Sequence, residues 1–294
     1  MTDLSADPAW AWYDGRLVAF SEARVPLEDR GLQFGESLYE VIAVVRGEPF
    51  RLSDHVERMR SGAQELGLAA GVPQLSEWRA IVAELHRNDP HPTAILYAQV
   101  TGGTAPRSHV PAQTPRPFFF AYLRRFAFPP PNAIARGIAA VTFADQRWQR
   151  RDLKTAMLLP AVLARKEALA RGAEEAIFVG QDGFVNEGAV STVFAVLGRV
   201  VATPPASQRI LAGISGRVVE EICREVGVSF SVRPLALGDL RNADELFVAS
   251  TTVLLMPVVR LDGVPVGSGT PGRVTLRLAQ SFRRMFWGSD GPPS

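Results

Sequence analysis

The sequence Phe-Pro-Pro-Pro at residues 128–131 interrupts the pattern of apolar residues near the middle of the chain. Consecutive prolines cannot continue a helix or a central strand, because proline lacks a backbone N–H and fixes φ. A length of 294 residues is enough for about two domains. The sequence therefore predicts a small N-terminal α/β domain over residues 1–122, a linker over 123–133 and a larger C-terminal domain over 134–294.

Helix and strand patterns lie on both sides of this interruption. Two-residue turns at 14–15 and 46–47 separate strand-like runs and predict hairpins. Apolar residues at spacings of three and four predict helices over residues 54–66, 76–87, 161–171, 215–226 and 273–286. Short runs of branched and aromatic residues predict the strands between them. The chain is therefore expected to have a mixed α+β fold.

The charged residues bear on two questions, whether the protein binds nucleic acid and which lysine could take part in a reaction. The 32 basic and 30 acidic residues nearly balance and are scattered, so we expect no nucleic-acid partner. All but two of the basic residues are arginine, and the two lysines are Lys154 and Lys166. A reaction that needs a lysine amine therefore has two candidates.

Several classes of protein are disfavoured. The apolar stretches at 118–123 and 253–259 are much shorter than the roughly 20 residues of a membrane-spanning helix. Residues 1–7 lack the basic and apolar regions of a secretory signal, so a cytoplasmic protein without a membrane partner is expected. The four histidines are dispersed and Cys223 is the single cysteine, so no metal site is expected.

Two residues with possible catalytic roles each allow two interpretations. Lys154 precedes an apolar run over residues 156–163. It either extends to water along its aliphatic stem, or lies in a partly desolvated site where its neutral amine can attack an aldehyde. Glu187, in Val-Asn-Glu-Gly, is either a turn residue bound to local N–H groups or a carboxylate in an apolar site.

Three further motifs offer groups that bind anions. Gly-Ile-Ser at 213–215 precedes an amphipathic helix, whose first N–H groups can bind a phosphate, although Ser215 can equally be an ordinary N-cap. Ser-Thr-Thr at 250–252 ends a predicted strand with three hydroxyls. Arg107 and His109 share one face if their segment is extended, and together they could bind a carboxylate.

In chain order, these motifs resemble those of the fold-type IV pyridoxal-phosphate enzymes. The matching stretches are Arg30-Gly-Leu-Gln-Phe-Gly-Glu-Ser-Leu-Tyr-Glu-Val, Asp54-His-Val-Glu-Arg, Asp152-Leu-Lys-Thr, Asn186-Glu-Gly, Leu211-Ala-Gly-Ile-Ser and Glu245-Leu-Phe-Val-Ala-Ser-Thr-Thr. The resemblance covers about residues 12–263. It implies a two-domain fold whose larger domain has a barrel-like sheet, with pyridoxal 5'-phosphate as cofactor in a homodimer.

Within this family the chain is similar to the D-amino acid transaminases. Thr104-Ala-Pro-Arg-Ser-His resembles the segment that binds the substrate carboxylate in that branch, and Tyr39-Glu-Val also matches it. The resemblance implies a transaminase that exchanges the amino group between a D-amino acid and a 2-keto acid, 2-oxoglutarate or pyruvate.

The resemblance also implies a role for each matching residue. Lys154 would form the internal aldimine, a Schiff base, and later move a proton between the substrate Cα and the cofactor. Glu187 would face the pyridine nitrogen. The other implied cofactor-binding residues are Arg58, Arg147, Leu211, Gly213, Ile214, Ser215, Ser250 and Thr251. The implied substrate-binding residues are Tyr39, Arg107, His109 and Thr252, with Arg107 and His109 contributed by a second subunit.

Two segments depart from the branch. Ala-Val-Ser-Thr at 189–192 stands where serines and an asparagine are usual, and Thr-Gly-Gly at 101–103 lacks an arginine often found there. The alternatives are a branched-chain L-amino acid or (R)-amine transaminase, and an aminodeoxychorismate lyase. Tyr-Glu-Val at 39–41 disfavours the lyase, while Arg107 and His109 disfavour an amine substrate that has no carboxylate.

Overall fold

The computed structural model describes residues 8–288 and 291–292. Among these residues, 8–127 and 153–157 form an N-terminal unit, and the others form a C-terminal unit. The exact domain boundaries expected from the sequence remain a prediction. Residues 1–7, which bear on the predicted absence of a signal, lie outside the described residues, as do 289–290 and 293–294 at the predicted end of the second domain.

The N-terminal unit is a six-stranded antiparallel sheet with two long helices. Its strands are β1 (Trp10–Tyr13), β2 (Arg16–Ala19), β3 (Ser37–Val45), β4 (Glu48–Pro49), β5 (Thr93–Thr101) and β6 (Phe118–Arg125), in the order β2-β1-β6-β5-β3-β4. Its helices are α1 (Arg30–Phe34), α2 (Leu52–Glu65) and α3 (Leu75–Asn88). The hairpins predicted at residues 14–15 and 46–47 are confirmed by the β1–β2 and β3–β4 pairs.

Strand alternation places one face of this sheet against α2 and α3. Leu38, Ile42 and Val44 of β3 are buried on that face, because every second residue of a strand points the same way. Their partners in the same core are Val56, Met59, Trp78, Ile81, Leu85, Leu96 and Leu123. Burial of this apolar surface provides most of the stability of the unit.

A short segment that follows the linker also belongs to the N-terminal unit. The N–H of Tyr39 donates to the carbonyl of Lys154 at 3.0 Å, and Leu38 and Thr155 form an isolated antiparallel bridge. Leu153 is buried in the core described above. The sequence instead predicted 153–157 as part of the C-terminal domain. Pairing with β3 joins residues more than 100 positions apart, and a pattern of neighbouring residues cannot show it.

The C-terminal unit is built on a nine-stranded mixed sheet that curls into a half-barrel. Its strands are β7 (Ile138–Ala144), β8 (Glu175–Val179), β9 (Val185–Gly188), β10 (Thr192–Leu197), β11 (Val200–Thr203), β12 (Ser229–Val232), β13 (Glu245–Ser250), β14 (Leu254–Leu261) and β15 (Val264–Pro265). The order is β12-β11-β10-β13-β14-β7-β8-β9, with β15 paired to β14. The predicted mixed fold with a barrel-like sheet is confirmed.

Five helices complete the C-terminal unit, namely α4 (Pro131–Arg136), α5 (Leu159–Ala170), α6 (Ile214–Val226), α7 (Leu237–Arg241) and α8 (Arg273–Trp287). Helix α4 begins inside the predicted linker. Its first residue is a proline, which a helix tolerates at that position because the first helical N–H has no partner within the helix. Phe194 and Phe247 stack in the sheet core with ring centroids 4.8 Å apart. Among the described residues, no helix is long and apolar enough to cross a membrane.

The buried tryptophan of α3 allows a test of the N-terminal core. Trp78 is fully buried and meets the Phe119 ring edge to face, and within the described chain its Nε1 has no hydrogen-bond partner. We expect Trp78→Ala to lower the free energy of unfolding by about 3–5 kcal/mol because it leaves a cavity. Trp78→Phe should cost less than about 2 kcal/mol, since it keeps a ring and removes the unpaired N–H.

Urea denaturation followed by circular dichroism measures both variants. Leu169→Ala is the control, since Leu169 is 59% exposed on a helix of the other unit and its truncation should change stability by less than about 0.5 kcal/mol. Equal losses for the alanine and phenylalanine variants of Trp78 would contradict this description of the core.

Candidate active site

Lys154 lies beside Tyr39 in the N-terminal unit. Its Nζ is 3.4 Å from the Tyr39 hydroxyl and 4.4 Å from the centre of the Tyr39 ring. Both residues are half-buried, and Tyr39 stacks on Tyr97 with centroids 5.7 Å apart. The lysine is thus held against an aromatic side chain. This position agrees with the partly desolvated interpretation, whereas Lys166 is exposed on α5.

A buried ion pair lies on the opposite face of β3. Glu40 is completely buried and accepts from Nε and Nη2 of Arg58 at 2.8 and 2.7 Å. Its Oε2 also contacts Nδ1 of His55 at 2.7 Å. Because α2 carries His55 and Arg58 three residues apart, both side chains reach the same carboxylate.

The charges of this cluster follow from burial and pairing. Burial raises the pKa of Glu40, but the charge of Arg58, together with the His55 contact, outweighs that effect and holds the pKa at about 2. Burial lowers the pKa of His55, more than Glu40 raises it. His55 is therefore neutral near pH 7 and donates its Nδ1 hydrogen, since an ionised carboxylate can only accept.

Sequence reasoning assigned Arg58 to the cofactor phosphate and missed Glu40. A signal was present: Glu40 follows Tyr39 on β3, so it occupies the face that buries Leu38 and Ile42. A carboxylate at such a position requires a cation nearby. The Asp-His-Val-Glu-Arg motif of α2 supplies it.

Arg107 and His109 lie in an exposed, irregular segment, so the condition of an extended strand is not met. Their side chains nevertheless meet at one ring. The Arg107 guanidinium is 4.8 Å from the centre of Phe34, and the His109 ring centre is 5.6 Å from it. The two residues predicted to bind a carboxylate therefore share a common support.

Glu187 is held by a charge-balanced cluster in the C-terminal unit. It is buried on β9, accepts from Nη1 of Arg147 at 2.6 Å and accepts from the N–H of Leu211 at 3.2 Å. Arg147 in turn binds Asp145 through Nε at 3.0 Å and Nη2 at 2.8 Å. The sequence alone also allowed Glu187 to be a turn residue bound to local N–H groups. In the structure its partners are an arginine and an N–H that are distant in sequence.

Asp145 is a residue that sequence reasoning missed. It follows β7 directly and also accepts from Nη1 of Arg151 at 2.8 Å and Nδ2 of Asn186 at 2.9 Å. Burial raises the pKa of Asp145, but hydrogen bonds and charge from Arg147 outweigh it and lower the pKa. Asp-Gln-Arg at 145–147 was the available signal, because it places a carboxylate two residues before the predicted arginine.

The start of α6 is open to an anion. Gly213 is its N-cap and has no side chain to cap the helix, so the interpretation of Ser215 as N-cap is wrong. Ile214 and Ser215 instead begin the first turn, whose N–H groups suit a phosphate. A Cβ at position 213 would collide with Oγ1 of Thr192, so only glycine permits this close approach.

Thr192 links the helix start to the predicted hydroxyl cluster. It pairs with Ala249 across β10 and β13, directly before Ser250. Oγ of Ser250 lies 3.4 Å from Oγ1 of Thr252, and all three residues at 250–252 are half-buried. The structure thereby brings the glycine-rich helix start and the Ser-Thr-Thr turn to neighbouring strand ends.

The residues present fit pyridoxal 5'-phosphate by their chemistry. A lysine lies against an aromatic ring, a buried carboxylate suits a protonated ring nitrogen, and an uncapped helix start bordered by hydroxyls suits a phosphate. Among the described residues, no group of three His, Cys, Asp or Glu side chains could hold a metal ion.

Comparisons with known proteins agree with this chemistry. Residues 37–261 match the family amino-transferase class IV. The chain is 37% identical over 274 residues to a D-alanine aminotransferase of Bacillus licheniformis, covering 92% of this chain and 95% of the relative. It is 35% identical, with the same coverage, to a D-alanine aminotransferase of Staphylococcus aureus strain MSSA476.

Solved structures show the same fold. A branched-chain amino acid aminotransferase from T.th. with pyridoxamine 5'-phosphate superimposes with a TM-score of 0.87 at 25% identity, covering 95% of this chain and 94% of that one. The branched-chain aminotransferase of Thermoproteus uzoniensis with norvaline gives a TM-score of 0.84 at 25% identity, covering 96% of each chain.

Fold and site residues together define an enzyme that transfers amino groups with pyridoxal 5'-phosphate. The chain belongs to the class IV aminotransferases. The predicted family and cofactor are thereby confirmed. The roles assigned to single residues remain predictions.

The Glu40 cluster gives a pH-dependent prediction. Because the pKa of Glu40 falls from 4.5 to about 2 on folding, its ion pair contributes stability above pH 4.5 and loses it as the pH falls towards 2. That contribution is about 3 kcal/mol. We expect Glu40→Gln to be less stable than wild type at pH 7, with the difference shrinking below pH 4.5.

Thermal or urea unfolding of both proteins at pH values from about 2.5 to about 7 measures this difference. Glu57→Gln on the exposed side of α2 is the matched control and should follow the wild-type curve. A constant difference between wild type and Glu40→Gln across the range would contradict the assignment of the low pKa.

Proposed function

We propose that this chain is a D-amino acid transaminase that uses 2-oxoglutarate or pyruvate as the 2-keto acid. The observation that carries the proposal is the convergence of Arg107 and His109 on Phe34, which presents a guanidinium and an imidazole together to a carboxylate. The relatives named D-alanine aminotransferase support it at 35–37% identity. The branched-chain aminotransferases resemble the chain only at the level of the fold.

Lys154 is the proposed catalytic residue. Its amine would hold the cofactor covalently at the aldehyde carbon, with loss of one water. Once the substrate amine has displaced it from that carbon, the released lysine amine would take and return the proton at the substrate Cα. Pyridoxal 5'-phosphate supplies the electron-withdrawing ring that stabilises negative charge at that carbon. The contact with the Tyr39 ring and hydroxyl orients the amine.

Glu187 would hold the proton on the cofactor ring nitrogen. A carboxylate next to a protonated pyridine favours the charged ring, because opposite charges attract strongly where water is excluded. Arg147 and the N–H of Leu211 fix the two carboxylate oxygens. Asp145 balances the charge of Arg147, so that Glu187 keeps its negative charge available.

The start of α6 would bind the cofactor phosphate. Ile214 and Ser215 offer N–H groups and a hydroxyl there, and the turn at 250–252 offers further hydroxyls. Arg58, which the resemblance assigns to the same phosphate, would add a guanidinium that Glu40 holds in one orientation.

Tyr39, Arg107, His109 and Thr252 would bind the substrate, the first three at its α-carboxylate. Fixing the carboxylate decides which Cα hydrogen the lysine can reach, and so decides the enantiomer. We also propose a cytoplasmic homodimer in which Arg107 and His109 serve the partner subunit's site. Large apolar side chains near that segment support a covered surface, since Leu27, Leu32 and Val110 are 84%, 62% and 81% exposed.

Half-reactions with single substrates test the proposal. Purified protein should convert D-alanine faster than L-leucine or (R)-phenylethylamine, as followed by the cofactor spectrum. Arg107→Ala should raise the KM for D-alanine at least about tenfold, since a charge-assisted bond to the carboxylate is lost.

Arg171→Ala removes an exposed arginine at the end of α5 and serves as the control, with unchanged D-alanine turnover expected. Faster reaction with L-leucine than with D-alanine would favour the branched-chain alternative. Unchanged D-alanine kinetics in Arg107→Ala would remove the carboxylate assignment.

A further inference from the structure

Arg30 connects the start of α1 to the segment that carries Arg107 and His109. Its side chain is buried, with a residue exposure of 6%. Nη1 donates to the carbonyl of Ser108 at 2.8 Å, Nη2 donates to the carbonyl of His109 at 3.1 Å, and Nε donates to Glu36 at 2.6 Å. One guanidinium thereby binds two successive carbonyls of an otherwise irregular segment.

The same guanidinium also contacts the ring on which the two predicted carboxylate ligands meet. The Arg30 guanidinium carbon is 4.9 Å from the centre of Phe34, and the Arg107 carbon is 4.8 Å from it. Arg30 therefore touches both the backbone and the aromatic support of the pair. Nothing in the sequence pattern around residue 30 reveals this role, because its carbonyl partners are 78 and 79 residues away.

Hydrogen bonds anchor the start of α1 below this arrangement. Asp29 caps α1 through the N–H of Leu32 at 3.1 Å and accepts from Thr101 Oγ1 at 2.6 Å. The N–H of Arg30 donates to the carbonyl of Gly103 at 2.9 Å. Helix α1 is thus bonded to the end of β5, directly before the exposed segment begins.

Gly102 explains how the Arg30–Glu36 pair fits beside β5. A Cβ at position 102 would lie 2.7 Å from Oε1 of Glu36 and 3.3 Å from Cβ of Arg30. The N–H of Gly102 donates to the Glu36 carbonyl at 2.9 Å. The Arg30–Glu36 ion pair therefore packs directly against this glycine.

We propose that Arg30 is a positioning residue for binding of the substrate α-carboxylate, because it fixes the backbone at Ser108 and His109 and the ring of Phe34 before substrate arrives. This inference rests on the proposed function of Arg107 and His109. Residues in an exposed segment lose conformational freedom on binding, and a segment ordered beforehand avoids that cost. Arg30 thus acts on carboxylate affinity rather than on the chemical step.

Steady-state kinetics and inhibition separate this role from a general structural one. We would measure kcat and KM for D-alanine, together with the inhibition constant of propionate, a carboxylate without an amino group. For Arg30→Ala we expect both KM and the propionate constant to rise about tenfold or more, with kcat within about threefold of wild type. For Arg30→Lys, KM and the propionate constant should lie between the values of wild type and Arg30→Ala, since an ammonium lacks the planar fork that binds two carbonyls.

Phe34→Leu keeps the polar partners of Arg30 and provides a second variant if Arg30→Ala fails to fold, and it should raise the same two constants. Arg224→Ala, an exposed arginine of α6, is the control and should change neither. Cofactor content and the thermal midpoint report the integrity of each protein.

A folded Arg30→Ala or Phe34→Leu protein with unchanged KM and propionate inhibition would overturn the inference, as would a fall in kcat without a change in either constant. If Arg107→Ala weakens D-alanine and propionate binding while Arg30→Ala does not, the proposed function stands and only the role of Arg30 fails. If neither variant changes binding, both proposals fail.

Discussion

The pairing of residues 153–157 with β3 is the constraint on which the site depends. It buries Leu153 in the N-terminal core and hydrogen-bonds the Lys154 carbonyl to the N–H of Tyr39. Backbone position then determines where the lysine side chain can reach. Because neighbouring positions of β3 point to opposite faces, Tyr39 meets Lys154 on one side while Glu40 meets Arg58 on the other. A single strand thus orients both an amine and an arginine.

Pairs of a buried carboxylate and an arginine orient three of the predicted cofactor-binding side chains. Glu40 fixes Arg58, and Asp145 fixes Arg147, which in turn fixes Glu187. Each carboxylate would be costly alone in such surroundings, and each pair is geometrically specific because the guanidinium fork binds with two or more parallel bonds. Arg30 shows the same use of a fork, with backbone carbonyls as the partners. Arg30, Arg58 and Arg147 thus hold neighbouring groups in place through their guanidinium groups.

Local patterns predicted the hairpins, the long helices and the mixed fold, because period and turn chemistry are local properties. The resemblance pointed to Lys154, Glu187 and the start of α6, which the structure places in settings suited to their expected chemistry. Asp145, Glu40 and Arg30 were missed, since each acts through partners distant in sequence. The grouping of 153–157 with the first unit was also missed, because it depends on tertiary contacts. The short helix α4 was missed because helix propensity does not show that its proline stands at the first helical position.

The identity of the lysine that binds the cofactor tests the central claim most directly. Borohydride reduction of the cofactor-loaded protein makes the covalent link permanent, and peptide mass spectrometry then locates it. With two lysines in the chain, the outcomes are distinct. We expect the phosphopyridoxyl group on the peptide that contains Lys154 and none on the peptide that contains Lys166. A label on Lys166 alone, or no labelled lysine in an active preparation, would contradict the account.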